Sequence, residues 1–167
     1  MTTKEERDRR NRIVNPWMTR LLRSPLHGLI SGNMMLITVT GMKTARRYTT
    51  PVNYVRDGNY LIMTSRVDRT WWRNLRGGSS VELWLRGSAL RGHVEVIEGS
   101  AAVSNELLAL LRRAPRLAGG FHVKLGADGQ PKHPEKLARY AAERVLLRIG
   151  GLALLPAPRR VQEAGRG

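Results

Sequence analysis

The sequence predicts one α+β domain built on a small antiparallel β-barrel of about six short strands. Short apolar runs rich in β-branched residues recur along the chain, separated by turn residues. Asp57-Gly58 is a strong hairpin signal, and Gly87-Ser88 is a second turn between two such runs. Short helical patterns follow the third and the fifth run. Hairpin-linked strands with helices between them are typical of this fold class.

The predicted strands are bounded by glycine, asparagine or other turn residues. Asn33 and Gly41 enclose the first, and Pro51 lies near the start of the second, where a residue without an N–H is tolerated at a sheet edge. A short basic loop that begins at Gly41 separates these two runs. The six predicted strands cover residues 34–40, 49–56, 60–65, 81–86, 89–98 and 145–149.

Helices are predicted at four places, each opened by a residue suited to a helix N-terminus. These residues are Asn15 with Pro16, Thr70, Ser104 and Pro134. The first helix ends before Pro25, and the leucine-rich third ends before Pro115. The second is one or two turns that end at the glycines 77–78, and the fourth runs to Arg144.

The predicted domain spans residues 15–155, because the chain has the size of one domain and its 41% hydrophobic content can fill one core. Residues 1–14 read as a flexible basic arm and residues 156–167 as a flexible tail. The beginning of the chain lacks the apolar segment of a secretory signal, and no apolar run approaches about 20 residues. We therefore expect a cytoplasmic protein. Peripheral membrane contact through the N-terminal basic helix is an open alternative.

The composition restricts the function classes. There are 29 lysines and arginines against 13 acidic residues, a net charge of +16, so the protein should attract polyanions, anionic membranes or acidic small molecules. The charge does not choose among them. Cysteine is absent, which excludes thiol nucleophiles, disulfides and cysteine-based metal sites.

Several enzyme classes lack their motifs here. The sequence has no Gly-x-Ser-x-Gly, no Walker-type phosphate loop and no Gly-x-Gly-x-x-Gly. The four histidines are far apart, so we expect no metal site, and the scattered acidic residues do not suggest a paired-carboxylate hydrolase. A bound cofactor that supplies the chemistry becomes the attractive interpretation.

An anion-binding loop is predicted in residues 41–54. Lys43, Arg46 and Arg47 lie within five residues of one another. Hydroxyl donors are interleaved with them, at Thr44, Thr49 and Thr50. Cations and hydroxyls together are what a phosphate or polycarboxylate tail needs. The alternative is a solvated basic hairpin tip.

Two further features predict a planar aromatic partner for this loop. The third strand ends in Thr64, Ser65 and Arg66, which offer polar groups to the edge of a ring. Trp71 and Trp72 are adjacent and cannot share one helix face. We expect one of them to pack into the core and the other to face a cleft or ligand; the alternative is that both cover the core.

These segments in order carry a family resemblance. Residues 41–52 read GMKTARRYTTPV, followed by Arg56-Asp57-Gly58, Thr64-Ser65-Arg66 and the run WWRNL at residues 71–75. This combination resembles the deazaflavin-dependent nitroreductase family of flavin/deazaflavin oxidoreductases, over about residues 26–98. The resemblance implies a split β-barrel of the FMN-binding type, and binding of coenzyme F420, with FMN as the alternative. It also implies hydride transfer between reduced deazaflavin and a quinone, a nitroaromatic or another activated electrophile.

The resemblance further implies a set of cofactor-binding residues, with Lys43 and Arg46 or Arg47 on the phosphate and polyglutamate tail. The full set is Lys43, Arg46, Arg47, Thr49, Thr50, Pro51, Met63, Thr64, Ser65, Arg66, Trp71, Trp72 and Asn74. A small-molecule electron acceptor and a homodimer are the implied partners. No catalytic residue follows from the sequence.

The chain departs from the family pattern at two positions of the loop. Met42 stands where the family has arginine, which removes one cation. Ala45 replaces a glycine, which argues against a positive φ or accepts some strain. Tyr140 is the one candidate for a substrate-facing tyrosine in the last third, and we interpret it as a core residue of its helix.

Two other function classes stay open on the sequence alone. The charge of +16 and the aromatic strands fit a nucleic-acid-binding β-barrel, although no stacking stripe follows one sheet face. A cofactor carrier or membrane-surface protein without turnover is the other.

Overall fold

The computed structural model describes residues 33–42, 45–121 and 123–156. The predictions for the basic arm, the N-terminal helix, Lys43, Thr44 and the tail from residue 157 lie outside the described residues.

The described chain forms a seven-stranded antiparallel sheet with short helices. The strands are β1 Met34–Thr40, β2 Arg47–Asn53, β3 Val55–Asp57, β4 Tyr60–Arg66, β5 Ser79–Leu85, β6 Ser88–Ile97 and β7 Arg144–Leu154. The α-helices are α1 Ser100–Arg113 and α2 Pro134–Ala142, and two 3₁₀ helices cover Trp71–Leu75 and Pro115–Phe121. No helix within the described ranges is long and apolar enough to cross a bilayer.

The order of the strands requires the sheet to curl. The order is β2-β1-β5-β6-β7-β4-β3, so β2 and β3 are the two edges, yet Tyr54 alone separates them in the chain. Tyr54 is buried, and its N–H donates to the Asn33 carbonyl at 2.9 Å. Since consecutive residues cannot lie at opposite ends of a flat sheet, the two edges must approach each other. The result is a curled half-barrel that is split between β2 and β3, as the resemblance implied.

The prediction of one continuous strand over residues 49–56 was wrong. It divides at Tyr54, and β2 pairs with β1 while β3 pairs with β4. The sheet therefore has seven strands rather than six. Strand-forming residues continue on both sides of Tyr54, so the division is decided by distant pairing partners rather than by a local turn signal.

Both predicted hairpins are present. Asp57 pairs with Tyr60 around Gly58, which has a φ of 57°. The second turn lies one residue earlier than predicted, at Arg86 and Gly87, with φ values of 48° and 80°. Two consecutive residues with positive φ are typical of the tight turns that match strand twist.

The predicted helix starts were only partly right. Helix α1 begins at Ser100 after Gly99, so the prediction of Ser104 as its cap was wrong. Thr70 precedes the first 3₁₀ helix but makes no capping bond through its side chain. Helix α2 begins at Pro134 as predicted and ends at Ala142, because the chain then enters β7.

Two apolar cores lie on the two faces of β4. Leu61 and Met63 belong to the core that fills the half-barrel, whereas Ile62 belongs to the core under α1 and α2. Alternate residues of a strand point to opposite faces, so a strand buried on both sides reads as a continuous apolar run. This explains the sequence of β4 and places its end between the barrel and α2.

Candidate functional site

A cavity of about 530 Å³ opens where the barrel is split. Its wall includes Pro51 to Val55 at the crossing from β2 to β3, and Ile62 to Ser65 on β4. Trp71, Phe121 and Tyr140 add aromatic side chains from three helical segments. The volume lies within the range of small-molecule sites, about 300–1,000 Å³.

One edge of β4 is without a strand neighbour at this cavity. Among the described strands, β3 pairs only with Tyr60 to Ile62, whereas β7 pairs with the other edge as far as Arg66. Hydrogen-bonding positions alternate along an antiparallel strand, and the tight turn directs those of Tyr60 toward β3. The main-chain N–H and C=O of Thr64 therefore face the unpaired edge. They offer one donor and one acceptor beside the cavity.

Two buried polar groups of the cavity wall lack a hydrogen-bond partner among the described residues. They are the hydroxyl of Ser65, a residue that is 5% exposed, and the indole N–H of Trp71. An unpaired buried polar group costs about 1–3 kcal/mol, so few persist in folded proteins. Both residues belong to the predicted cofactor set. Neither atom is accessible in this conformation, so a polar-edged ring would become their partner only after a small movement of neighbouring side chains.

The two adjacent tryptophans occupy different positions. Trp72 is 2% exposed in the barrel core, and its indole N–H donates to the Arg66 carbonyl at 3.1 Å. Trp71 is half-buried and lines the cavity. Trp72 thus lies in the core, while Trp71 both packs against that core and lines the cavity.

The 3₁₀ helix that holds the tryptophans is fixed at its end by Arg76. The Arg76 guanidinium donates two hydrogen bonds to the Glu98 carboxylate, at 2.8 and 2.6 Å, and lies 5.0 Å from the Trp72 ring. The hydrogen bond from Arg76 lowers the pKa of Glu98, and the same bond raises the pKa of Arg76. Both groups therefore stay charged at neutral pH. This pair attaches the tryptophan segment to the end of β6.

Asn74 connects the tryptophan segment to the predicted anion-binding loop. Its side-chain oxygen accepts from the Met42 N–H, and its side-chain nitrogen donates to the Trp71 carbonyl, both at 3.1 Å. Asn74 is not part of the cavity wall. The structure therefore gives it a bridging position between the loop and Trp71.

Four more predicted residues, Arg46, Arg47, Thr49 and Thr50, do not line the cavity. Arg47 forms an ion pair with Glu82 on β5, and the Thr49 hydroxyl lies 2.8 Å from the Thr38 hydroxyl. These contacts are on the face of the sheet opposite the barrel core. Arg46 is exposed, and Thr50 is half-buried beside Ile37. Their roles toward a cofactor tail, like that of Lys43, stay predictions.

Ala45 adopts the strained backbone that the sequence left open. Its φ is 52°, and its N–H donates to the Gly41 carbonyl at 2.8 Å. A left-handed conformation costs a residue with a Cβ about 1–2 kcal/mol relative to glycine. The chain thus keeps the loop geometry of a glycine while carrying alanine.

We expect the substitution Ala45→Gly to raise the free energy of unfolding by about 0.5–1 kcal/mol, because relief of strain exceeds the added entropy of the unfolded chain. Urea denaturation measures it. Gly58→Ala is the matched reverse change, since Gly58 has a φ of 57° and open space around it, and should destabilise by a similar amount. A stability loss in Ala45→Gly would contradict this account.

Several cavity residues are absent from the predicted cofactor set, among them Arg69, Phe121, Tyr140 and Arg144. The Tyr140 hydroxyl lies 2.9 Å from the Thr64 hydroxyl, and the Phe121 ring meets the Tyr140 ring edge to face at 6.4 Å. Tyr140 is half-buried against the core under the helices, so its interpretation as a core residue is only partly right. It follows Leu137 by three positions on α2, and that shared helix face was the available signal.

Arg66 also stands outside the cavity wall, although it belongs to the predicted set. Its guanidinium pairs with Asp68 at 3.3 Å and with Glu143 at 3.5 Å. No group of three or more histidine and acidic side chains in the described ranges could hold a metal ion. The polar and aromatic groups at the cavity wall are hydroxyls, guanidinium groups, asparagine amides and aromatic rings.

The comparisons with solved structures give low similarity. An F420 reductase is 13% identical, with 81% of this chain and 94% of that chain covered and a TM-score of 0.42. An F420-H2 dependent reductase is 14% identical, with 70% and 94% covered and a TM-score of 0.42. A conserved protein of Mycobacterium tuberculosis is 12% identical, with 78% and 75% covered and a TM-score of 0.44. These scores are too low to support any inference.

No curated protein sequence matches this chain significantly. The model of the F420H(2)-dependent quinone reductase family does match, over residues 12–115, which is more than half of the 167 residues. The matched region contains β1 to β6, the tryptophan segment and all of α1. It also contains every residue of the predicted cofactor set. The chain therefore belongs to the F420H(2)-dependent quinone reductase family of oxidoreductases.

Proposed function

We propose that this protein reduces quinone-like acceptors with reduced F420 in the cavity beside β4. The observation that supports this most directly is that two residues lining one cavity, Ser65 and Trp71, each carry a buried polar group without a described hydrogen-bond partner. Membership of the family supports F420 as the cofactor and an oxidoreductase reaction. Nitroaromatics are a second acceptor class with the same requirement for a flat cavity.

The residues of the wall fit a flat, polar-edged ring. The Thr64 main chain and the Ser65 hydroxyl would meet its polar edge, and Trp71 would cover one face. Lys43, Arg46 and Arg47 would hold the anionic tail. For Arg47 this requires exchange of its exposed ion pair with Glu82, which is inexpensive because surface pairs contribute only about 0–1 kcal/mol.

Bound F420 in its reduced form supplies a hydride. Reduction of a quinone to a hydroquinone also requires a proton on oxygen, which the protein can deliver. Tyr140 carries a phenolic hydroxyl at the cavity, and its contact with the Thr64 hydroxyl fixes the direction of that group. Tyr140 is therefore the proton donor that we propose.

Titration of the purified protein with F420 and with FMN tests the proposal. We expect saturable F420 binding, seen as a change in cofactor fluorescence, and oxidation of reduced F420 when a naphthoquinone is added. If the protein bound FMN and did not bind F420, FMN would be identified as its cofactor instead of F420. Absence of a saturable change with either cofactor would overturn the proposal.

The substitution Ser65→Ala should change stability and binding in opposite directions. Removal of an unpaired buried hydroxyl should leave the free energy of unfolding unchanged or raise it by about 1 kcal/mol, while F420 affinity should fall about three- to ten-fold through loss of one hydrogen bond. Urea denaturation and F420 titration measure the two effects. Ser80→Ala, at an exposed position of β5, should change neither. Unaltered F420 affinity in Ser65→Ala would remove Ser65 from the site.

A further inference from the structure

Two arginines make one end of the cavity cationic. Arg69 and Arg144 both line the cavity, and none of its described wall residues is acidic. Arg144 begins β7 opposite Arg66, and the main-chain N–H of Arg69 donates to the Arg66 carbonyl at 3.2 Å. Both arginines are therefore anchored at the end of β4, around Arg66.

The guanidinium group of Arg69 is available to a ligand. Within the described ranges it forms no ion pair and no hydrogen bond, and the residue is exposed. The Arg144 guanidinium lies 4.4 Å from the centre of the Tyr140 ring and forms no ion pair with a described carboxylate. That stacking holds the group against the cavity wall without neutralising its charge.

Arg66 pairs with two carboxylates that would otherwise attract the charges of Arg69 and Arg144. Asp68 and Glu143 are the direct sequence neighbours of Arg69 and Arg144, and both carboxylates pair with Arg66. A carboxylate that is already paired attracts a second cation less strongly. The positive charge of Arg69 and Arg144 is thus preserved for a molecule in the cavity.

Aromatic rings provide the flat surfaces beside these charges. Trp71, Phe121 and Tyr140 line the same cavity, and Phe121 meets Tyr140 at nearly a right angle, 89°. Faces and edges of this kind favour flat, conjugated ligands. Guanidinium groups beside them favour carboxylate or sulfonate groups, in which two oxygens accept two parallel hydrogen bonds.

We propose that Arg69 and Arg144 are specificity-determining residues that select acceptors which are planar aromatic anions. The assignment of this site to the acceptor rests on the proposed function. In the proposed function the anionic tail of the cofactor binds to Lys43, Arg46 and Arg47. These residues belong to the β1–β2 connection rather than to the end of β4. The anion selectivity of the cavity follows from the wall residues alone.

Calorimetric titration with 2-naphthoate and its neutral analogue 2-naphthamide tests this selectivity without cofactor. We expect naphthoate to bind more tightly, and Arg69→Gln to weaken naphthoate about five-fold, the size that an exposed ion pair gives, with naphthamide unchanged. Arg139→Gln removes the same charge from an exposed position of α2 outside the cavity and should weaken naphthoate far less. This control separates a local site from the general attraction of a protein with a charge of +16.

Repetition of the titration with F420 present distinguishes the two sources of an anion. Binding of naphthoate with undiminished affinity beside F420 supports the acceptor site. Competition between the two would assign the arginines to the cofactor and overturn the proposal. Equal affinities for naphthoate and naphthamide, or equal effects of Arg69→Gln and Arg139→Gln, would also overturn it. A protein that selects naphthoate but binds neither F420 nor FMN would refute the proposed function while leaving the anion selectivity intact.

Discussion

The substitution Trp72→Ala is expected to destabilise the protein by about 3–5 kcal/mol, the cost of a large buried aromatic truncated in a core. Trp72 is 2% exposed and donates to the Arg66 carbonyl, so the change leaves both a cavity and an unpaired acceptor. The total stability of a small domain is about 5–15 kcal/mol, so much of it would be lost. Urea denaturation followed by circular dichroism measures the change.

The neighbouring substitution Trp71→Ala provides the contrast. Trp71 is half-buried, its indole N–H has no described partner, and truncation should cost only about 1–2 kcal/mol. F420 affinity should instead fall about ten-fold or more, because the substitution removes the aromatic face that we propose to cover the cofactor ring. Trp72→Phe keeps the core filled and should bind F420 like the parent protein. Equal stability losses at the two positions, or F420 binding that is insensitive to Trp71, would contradict the division of the pair.

The fold could be predicted where the signal is local. Gly58, with its positive φ at the first of the two turn residues, sets the turn geometry, so the Asp57-Gly58 signal predicted the pairing of β3 with β4. The division at Tyr54 has no such signal, since strand-forming residues lie on both sides. The division depends on which strand each half pairs with, and the local sequence does not predict pairing between strands that are far apart in the chain. The same limit applies to α1, where Ser104 looks like a cap but tertiary packing starts the helix at Ser100.

The candidate site divides in the same way. Pro51, Met63, Thr64, Ser65 and Trp71 were predicted and line one cavity, because they belong to β2, β4 and the segment that follows β4. Tyr140 and Arg144 come from the last third of the chain and join them through the pairing of β7 with β4. A sequence read without that pairing has no reason to place them beside Thr64.

The partners of charged side chains could not be predicted from the sequence. In the structure Arg47 pairs with Glu82, and Arg66 pairs with Asp68 and Glu143, while the roles of both arginines toward an anion stay predictions. Arg69 and Arg144 were not among the predicted site residues, yet both line the cavity. The role of a guanidinium group depends on the groups that it contacts. Strand register and turn geometry decide those contacts, and residue type does not.

The substitution Tyr140→Phe should lower kcat for quinone reduction about 100-fold, within the range that loss of a positioned general acid gives. The ring is kept, so its packing against Phe121 and the stacking of Arg144 should persist. F420 affinity should therefore change by less than about two-fold, since no described contact of the Tyr140 hydroxyl other than that with Thr64 is removed. Stopped-flow oxidation of reduced F420 by a naphthoquinone measures the effect on the chemical step.

Thr64→Val is the matched variant, because it removes the hydrogen-bond partner of Tyr140 and leaves the phenolic proton in place. A proton donor that is merely less well oriented should lose far less activity than one that is absent, so we expect a loss of about three- to ten-fold. The solvent deuterium isotope effect on kcat should persist in Thr64→Val and disappear in Tyr140→Phe, where the proton must come from water at a different step. If Tyr140→Phe kept the parental kcat, the proton would reach the acceptor by another route, and Tyr140 would be a packing residue at the cavity wall. Equal losses in the two variants would instead assign the effect to the hydrogen bond between the two hydroxyls, since only that contact is common to both changes.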